Sequence, residues 1–238
     1  MCEHCGCTAP ARTIALHERV LADNDAHAQH NREHLARHGV VAVNLMSAPG
    51  AGKTALIEAT IERLAPRLSI AVITGDLATD NDARRVRARG VPCVQITTGQ
   101  ACHLDARLVH EGLHQLDLAG VDLLFIENVG NLVCPAGFDL GQHADVALLS
   151  VTEGDDKPAK YPTLFRAVDL VLITKRDLLP HVGEFDPARA QRCVRDLANP
   201  APVFEVSSRT QAGLDLWFDW LLARSGARVA AVRGAASG

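Results

Sequence analysis

The run Ser47-Ala48-Pro49-Gly50-Ala51-Gly52-Lys53-Thr54 decides the reading of this chain. An apolar run, residues 40–46, precedes it, and a segment with helical spacing of apolar residues, 54–64, follows. The pattern is that of a phosphate-binding loop, G-x-x-x-x-G-K-[ST], with Ser47 in place of the first glycine. Gly50 and Gly52 let consecutive backbone N–H groups turn towards one anion. A helix starting near Lys53 adds the positive end of its dipole. An ammonium at Lys53 can meet the β- and γ-phosphates of a nucleotide, and a hydroxyl at Thr54 can meet Mg²⁺. The candidate nucleotide contacts here are Gly50, Ala51, Gly52, Lys53, Thr54 and Ala55. The competing reading is a glycine-rich turn that binds nothing, and the flanking strand and helix disfavour it.

Outward from this loop, short apolar runs alternate with amphipathic segments. The runs are 40–46, 70–74, 93–97, 121–126, 145–151, 170–174 and 203–206. The helix-like segments between them are 54–64, 83–89, 105–116, 158–167, 187–197 and 213–224. Continuous apolar runs of this length suit strands buried on both faces. Their regular alternation with helices predicts an α/β fold with a mostly parallel central sheet wrapped by helices. The expected organisation is a Cys-rich metal-binding arm over 1–15, a helix over 16–39, the main domain over 40–226 and a flexible tail over 227–238.

Two further groups of residues fall at expected strand ends. The second run ends in Thr74-Gly75-Asp76, and the fourth ends in Glu127-Asn128-Val129-Gly130. Carboxylates at the carboxyl edge of a parallel sheet lie beside the phosphate loop. Asp76 and Glu127 are therefore candidates, with Lys53, for catalysis, and with Thr54 for holding Mg²⁺; strand-end capping is the alternative. The sixth run ends in Thr174-Lys175-Arg176-Asp177, which resembles the N-K-x-D guanine-reading motif with Thr for Asn. A carboxylate at Asp177 can accept from both guanine donors, a pair that adenine lacks. The stem of Lys175 can cover the base, and Ser207, after the seventh run, falls where a base-supporting loop is expected.

The 238 residues carry 24 basic and 28 acidic side chains, a net charge of −4, so bulk charge gives no case for nucleic-acid binding. No apolar stretch approaches the ~20 residues that cross a bilayer, and no secretory leader is expected. A cytoplasmic location follows as the expectation. Seven cysteines, an odd count without such a leader, fit metal ligands better than a disulfide framework. Met1-Cys2-Glu3-His4-Cys5-Gly6-Cys7 gathers three thiols around a glycine, a soft ligand set suited to nickel, zinc or copper(I). Cys102-His103 and the distant Cys134 make a second, three-ligand candidate; a buried thiol and a capping histidine are the alternative. His27, His30, His34 and His38 share one helix face, which could bind metal weakly but is read as a solvated face. Cys93 and Cys193 sit in apolar patterns as packing thiols.

Taken together these motifs resemble the HypB family of hydrogenase nickel-incorporation GTPases, metallochaperones of the SIMIBI class of P-loop proteins. The resemblance runs from Met1 to about residue 224. It rests on the opening Cys motif, the phosphate loop, Gly75-Asp76-Leu77-Ala78-Thr79-Asp80, Cys102-His103-Leu104-Asp105, the stretch from Glu127 to Ala136, and that from Glu153 to Pro162. It implies a three-layer P-loop GTPase that hydrolyses GTP and delivers Ni²⁺ during maturation of [NiFe] hydrogenase. Cys2, Cys5 and Cys7 would be its tight nickel site. Cys102, His103 and Cys134 would be a weaker nickel or zinc site at a GTP-dependent homodimer interface, with Lys157 near the nucleotide there. The implied partners are a HypA-like nickel chaperone and the hydrogenase large-subunit precursor, with no nucleic acid and no membrane. Three other readings compete. An iron–sulfur carrier ATPase would have a lysine where this chain has Ala48, and Asp177 favours guanine. An accessory GTPase for another metalloenzyme such as urease would resemble this chain but lack the opening Cys motif. A nickel storage protein would not need Lys53, Thr54, Asp76 and Glu127 together.

Overall fold

The computed structural model describes residues 11–99 and 101–235, with side chains described from 19 to 225, Gln100 apart. Its seven strands are β1 (Val41–Ser47), β2 (Ile70–Asp76), β3 (Cys93–Thr97), β4 (Leu123–Glu127), β5 (Ala144–Ser150), β6 (Leu170–Thr174) and β7 (Val203–Glu205). Each lies within two residues of one of the seven apolar runs, and β3 and β6 coincide with theirs. They form one sheet in the order β3-β2-β4-β1-β5-β6-β7, parallel throughout. The order reverses beside β1, so the crevice at its carboxyl end is where a ligand binds in such a sheet.

Among the described residues eight α-helices pack around the sheet: α1 (Ala11–His38), α2 (Lys53–Leu64), α3 (Asn81–Arg87), α4 (Ala106–Leu113), α5 (Lys157–Lys160), α6 (Pro162–Ala167), α7 (Pro187–Asp196) and α8 (Leu214–Ala235). Alternate strand residues face opposite layers. Val41, Val43 and Leu45 of β1 pack with Leu56 and Ile57 of α2 and Trp217 and Leu221 of α8. Ala42 packs on the other side with Leu35 of α1 and Val109 and Leu113 of α4. Ala147, Leu149, Val171 and Ile173 meet Leu164 and Phe165 of α6 and Ala190 and Val194 of α7. Full burial of each such valine, leucine, isoleucine or phenylalanine contributes roughly 1.5–3 kcal/mol, so the three layers hold through many additive contacts. On α8, Trp217 donates its indole N–H to Thr60 Oγ1 of α2 over 2.9 Å and stacks on Trp220 at 5.5 Å.

Three segments differ from expectation. The helix expected over 158–167 is two helices, α5 and α6. Pro162 has no N–H to continue the first, and Tyr161 before it is pushed out of helical geometry (φ −123°, ψ 57°). Helix α1 starts at Ala11, inside the stretch assigned to the arm, and α8 runs to Ala235, into the expected tail. The histidine face of α1, expected to be solvated, turns His27 and His34 half-buried towards α4.

That contact forms because α1, although polar, is fastened by two asparagines seven residues apart. Asn31, fully buried, donates from Nδ2 to the carbonyls of Ala106 (2.8 Å) and Leu140 (3.0 Å). Asn24 accepts from the Ala106 N–H (2.9 Å) and donates to the Asp139 carbonyl (2.8 Å). Buried amides satisfied in this way fix the helix in one register.

Candidate functional site

The phosphate loop joins β1 to α2 with Gly50 at φ +73° and Gly52 at φ +103°. A side chain at either would meet open space, so the left-handed backbone, not crowding, calls for glycine. Ser47, the departure from the usual pattern, is fully buried and accepts a hydrogen bond from Lys53 Nζ over 3.0 Å. Its hydroxyl donates in turn to the Ala48 carbonyl (2.7 Å). The lysine is thus aimed by the residue that replaces the first glycine.

Thr54 donates its hydroxyl to Glu127 Oε1 over 2.7 Å. Burial pushes the Glu127 carboxyl up to about 7, against the opposing pull of Lys53 and Thr54. Burial likewise lowers the Lys53 ammonium, with Glu127 the foremost carboxylate opposing it. Oε2 of Glu127 is buried with no hydrogen-bond partner among the described residues. An orphaned carboxylate oxygen beside a threonine hydroxyl and the phosphate loop fits the donor set of a hard divalent cation such as Mg²⁺. A cavity of about 220 Å³ at this point is lined by Lys53, Asp76, Asp82, Glu127 and Asn128. Asp76 accepts at Oδ1 from the N–H groups of Ala78 and Thr79. Burial alone would raise its carboxyl, but these bonds outweigh that and hold it below the usual carboxylate range. Asp82 was not a sequence candidate; its signal is an acid in the first turn of the helix after Gly75-Asp76.

A second cavity, about 180 Å³, is lined by Ala51, Gly52, Ala55, Thr174, Asp177 and Ser207, among others. Asp177 Oδ1 accepts from Ser207 Oγ over 2.6 Å. Thr174 donates its hydroxyl to the Ala51 carbonyl (2.7 Å), and Lys175 Nζ donates to the Gly50 carbonyl (2.7 Å). Threonine at this position therefore ties β6 to the phosphate loop. Lys175 is held at φ +59°, the left-handed region, at the start of the two-turn 3-10 helix Arg176–His181. Lys157 lines neither cavity; its ammonium lies over the Tyr161 ring, 5.2 Å from the centroid.

Cys102, His103 and Cys134 come together, with one potential ligand atom from each within 4.8 Å of the others. The two Sγ atoms are 2.8 Å apart and His103 Nδ1 is 3.7 Å from Cys102 Sγ. Burial lowers the His103 imidazole, leaving a neutral ring with a lone pair to offer. Cys134 opens a short 3-10 helix, Cys134–Gly137, and the Phe138 ring beyond it lies tilted against the His103 ring, centroids 4.1 Å apart. Cys2, Cys5 and Cys7 lie outside the described residues. Cys93 packs against the core, and burial pushes its thiol up to about 11, an inert group.

The thiol loop is locked to the nucleotide side by Leu104, which is fully buried. A Cβ on Gly75 would lie 2.7 Å from Leu104 Cγ, so only glycine lets this side chain cross the end of β2. The Leu104 N–H donates to Asn128 Oδ1 (3.0 Å), and Asn128 Nδ2 donates to Asn44 Oδ1 of β1 (3.3 Å). Asn131 reaches the Cys102 carbonyl over 3.4 Å.

A phosphate loop at the switch point of a parallel sheet, with a thiol–imidazole cluster that could hold a metal ion beside its carboxyl edge, is the arrangement of a P-loop nucleoside-triphosphate hydrolase. The family model "CobW/HypB/UreG, nucleotide-binding domain" matches residues 41–205. The hydrogenase maturation factor HypB of Azotobacter vinelandii is 48% identical over 221 residues, spanning 93% of this chain and 73% of that protein. The crystal structure of HypB from Archaeoglobus fulgidus matches with a TM-score of 0.80 at 43% identity, over 86% of this chain and all of that one. That of HypB from Helicobacter pylori, in complex with nickel, matches at 0.81 and 39% identity, over 85% and 95%. The chain belongs to the HypB family of hydrogenase maturation factors.

Proposed function

We propose that this protein hydrolyses GTP to gate the delivery of Ni²⁺ during maturation of [NiFe] hydrogenase. The observation that carries this is Leu104, which touches the end of β2 at Gly75 and the end of β4 at Asn128 while following Cys102-His103 directly. These two contacts are the route by which a change at the γ-phosphate side would reach the thiol loop.

In this reading Gly50 to Ala55 cradle the phosphates, and Lys53, aimed by Ser47, neutralises charge developing on the β- and γ-phosphates. Thr54, Asp76 and Glu127 would hold Mg²⁺, which supplies further charge neutralisation when bound. Glu127, with a carboxyl near 7, orients the attacking water or accepts its proton. Asp177, steadied by Ser207, reads guanine, and Lys175 crosses the phosphate loop beside the base cavity. Cys102, His103 and Cys134 offer three ligands; a symmetric dimer formed with GTP would pool two such sets, with Lys157 approaching the partner's nucleotide. Cys2, Cys5 and Cys7 would hold nickel more tightly, independently of nucleotide. The partners are a HypA-like nickel chaperone and the hydrogenase large-subunit precursor. Among the described residues no helix is long and apolar enough to cross a membrane.

The test is GTP turnover with nickel titration, together with nickel affinity and oligomeric state measured with GDP and with a non-hydrolysable GTP analogue. A shift of both affinity and oligomeric state between the two nucleotides is expected. Identical values in the two states, or equal turnover of ATP and GTP, would overturn the reading.

A further inference from the structure

A row of hydrogen-bonded side chains crosses the centre of the sheet from β5 to the end of β4. Asp145 of β5 and Asn44 of β1 are partners in the parallel register, and Asn128 follows directly on β4. Asn44 Nδ2 donates to Asp145 Oδ1 over 2.8 Å, and Asn128 Nδ2 donates to Asn44 Oδ1 over 3.3 Å. From the other side Gln142 Nε2 donates to Asp145 Oδ2 over 2.8 Å. Asn44 and Asn128 are buried, so a lost partner leaves an unsatisfied polar group.

The direction of these bonds is imposed from both ends, because a backbone N–H can only donate. Leu104 and Val129 both donate to Asn128 Oδ1, each over 3.0 Å, so Asn128 must turn Nδ2 towards Asn44. Asn44 then meets it with Oδ1 and turns its own Nδ2 towards residue 145. At the far end the Leu140 N–H donates to Gln142 Oε1 over 2.7 Å, so Gln142 also turns Nε2 towards residue 145. Two N–H donors thus converge on one side chain. A carboxylate accepts at both oxygens, whereas an asparagine of the same shape would set an N–H against one of the donors. Burial raises the Asp145 carboxyl; the Gln142 and Asn44 bonds oppose this, and Asp169 and Asp139 add to it. The charge at Asp145 therefore depends on both amides staying aimed at it, and their aim depends on the charge.

We propose that Asp145 is a positioning residue for the loop of Cys102 and His103. By accepting from Asn44 it fixes the polarity of the whole row, and so keeps the Asn128 oxygen on the N–H of Leu104, the residue after His103. Asp145 lines neither nucleotide cavity and acts through Asn44 and Asn128. Its bearing on nickel rests on the function proposed above; its hold on Leu104 does not.

Amide hydrogen exchange of Leu104, in the full chain with GDP, reads the end of the row directly. It is taken relative to the amides of β6, which report wider opening. Asp145→Leu fills the space and removes the acceptor, and on that scale Leu104 should exchange about 10-fold faster, the loss expected for one hydrogen bond of ordinary strength. The swapped variant Asn44→Asp/Asp145→Asn moves the carboxylate one strand along. The new carboxylate on β1 accepts from Asn128 and from the new amide on β5, which in turn accepts from Gln142. Asn128 keeps its orientation, so Leu104 protection should return. Protection unmoved in Asp145→Leu would overturn the proposal. So would protection lost in the folded swapped variant, which decides alone where Asp145→Leu does not fold. With Cys2, Cys5 and Cys7 replaced by alanine, the ratio of nickel affinities with GTP analogue and GDP should fall towards one in Asp145→Leu and recover in the swapped variant. If Leu104 responds as expected and this ratio does not move, the positioning role stands and the gating role of the loop falls.

Discussion

Leu104 donates its backbone N–H to the side-chain oxygen of Asn128 over 3.0 Å, joining the residue after His103 to the residue after Glu127. The loop of Cys102 and His103 and the carboxyl end of β4 thus share one hydrogen bond. Asn128→Ala leaves the buried N–H groups of Leu104 and Val129 without their acceptor, which should destabilise the fold by about 1–3 kcal/mol. In a chain whose Cys2, Cys5 and Cys7 are replaced by alanine, the same change should bring the ratio of nickel affinities with GTP analogue and GDP close to one. Calorimetric titration in the two nucleotide states measures it, and an undiminished ratio would show that the coupling runs elsewhere.

Lys53→Ala should lower GTP hydrolysis by roughly 10²–10³-fold, the cost of removing one preorganised charge stabiliser. Ser47→Ala should cost less, because the ammonium survives and loses only its 3.0 Å anchor. Phosphate release under single-turnover conditions checks both; wild-type turnover by Lys53→Ala would remove the phosphate loop from the mechanism.

Asp177→Asn should weaken GTP binding by about 10–100-fold while leaving ATP binding unmoved, since an amide can accept from only one of the two guanine donors. Ser207→Ala removes the hydroxyl that steadies Asp177 at 2.6 Å and should show a smaller loss in the same direction. Competition binding with both nucleotides decides it.

Glu127 carries a carboxyl raised to about 7 by burial, so it is protonated below that pH and ionised above it. If the ionised form serves hydrolysis, kcat/KM for GTP rises with pH with a midpoint near 7, since this parameter reports the free enzyme's groups. Glu127→Gln should be slow and lack that inflection. A wild-type profile that is flat from pH 6 to 8 would take the carboxylate out of the rate equation.

The sheet was legible in the sequence because each strand is a continuous apolar run, a pattern that burial on both faces imposes locally. Lys53, Thr54, Glu127 and Asp177 were legible for a related reason: each follows such a run at a fixed offset. What stayed hidden depends on elements distant in the chain. Ser47 departs from the glycine of the motif, and its role under Lys53 depends on a side-chain bond six residues on. Thr174 departs from the asparagine of the motif, and its bond to Ala51 joins residues 123 positions apart. The histidines of α1 looked solvated because nothing local says that α4 brings His110 and His114 beside them. Asn31, which holds the two helices in that register, is an ordinary polar residue in the sequence and a fully buried one in the fold.

The stacked indoles of Trp217 and Trp220 are the only two tryptophans in the chain, and Trp217 touches α2, the helix that begins at Lys53. Ultraviolet emission excited in the indole band is therefore a one-address signal. It reports on the layer behind the phosphate loop, through the indole bond to Thr60, and carries no direct signal from the thiol loop or the histidine-lined contact of α1 with α4, where no indole lies. A stopped-flow trace would follow nucleotide arrival without a label, and metal arrival would register only if it were relayed through the sheet.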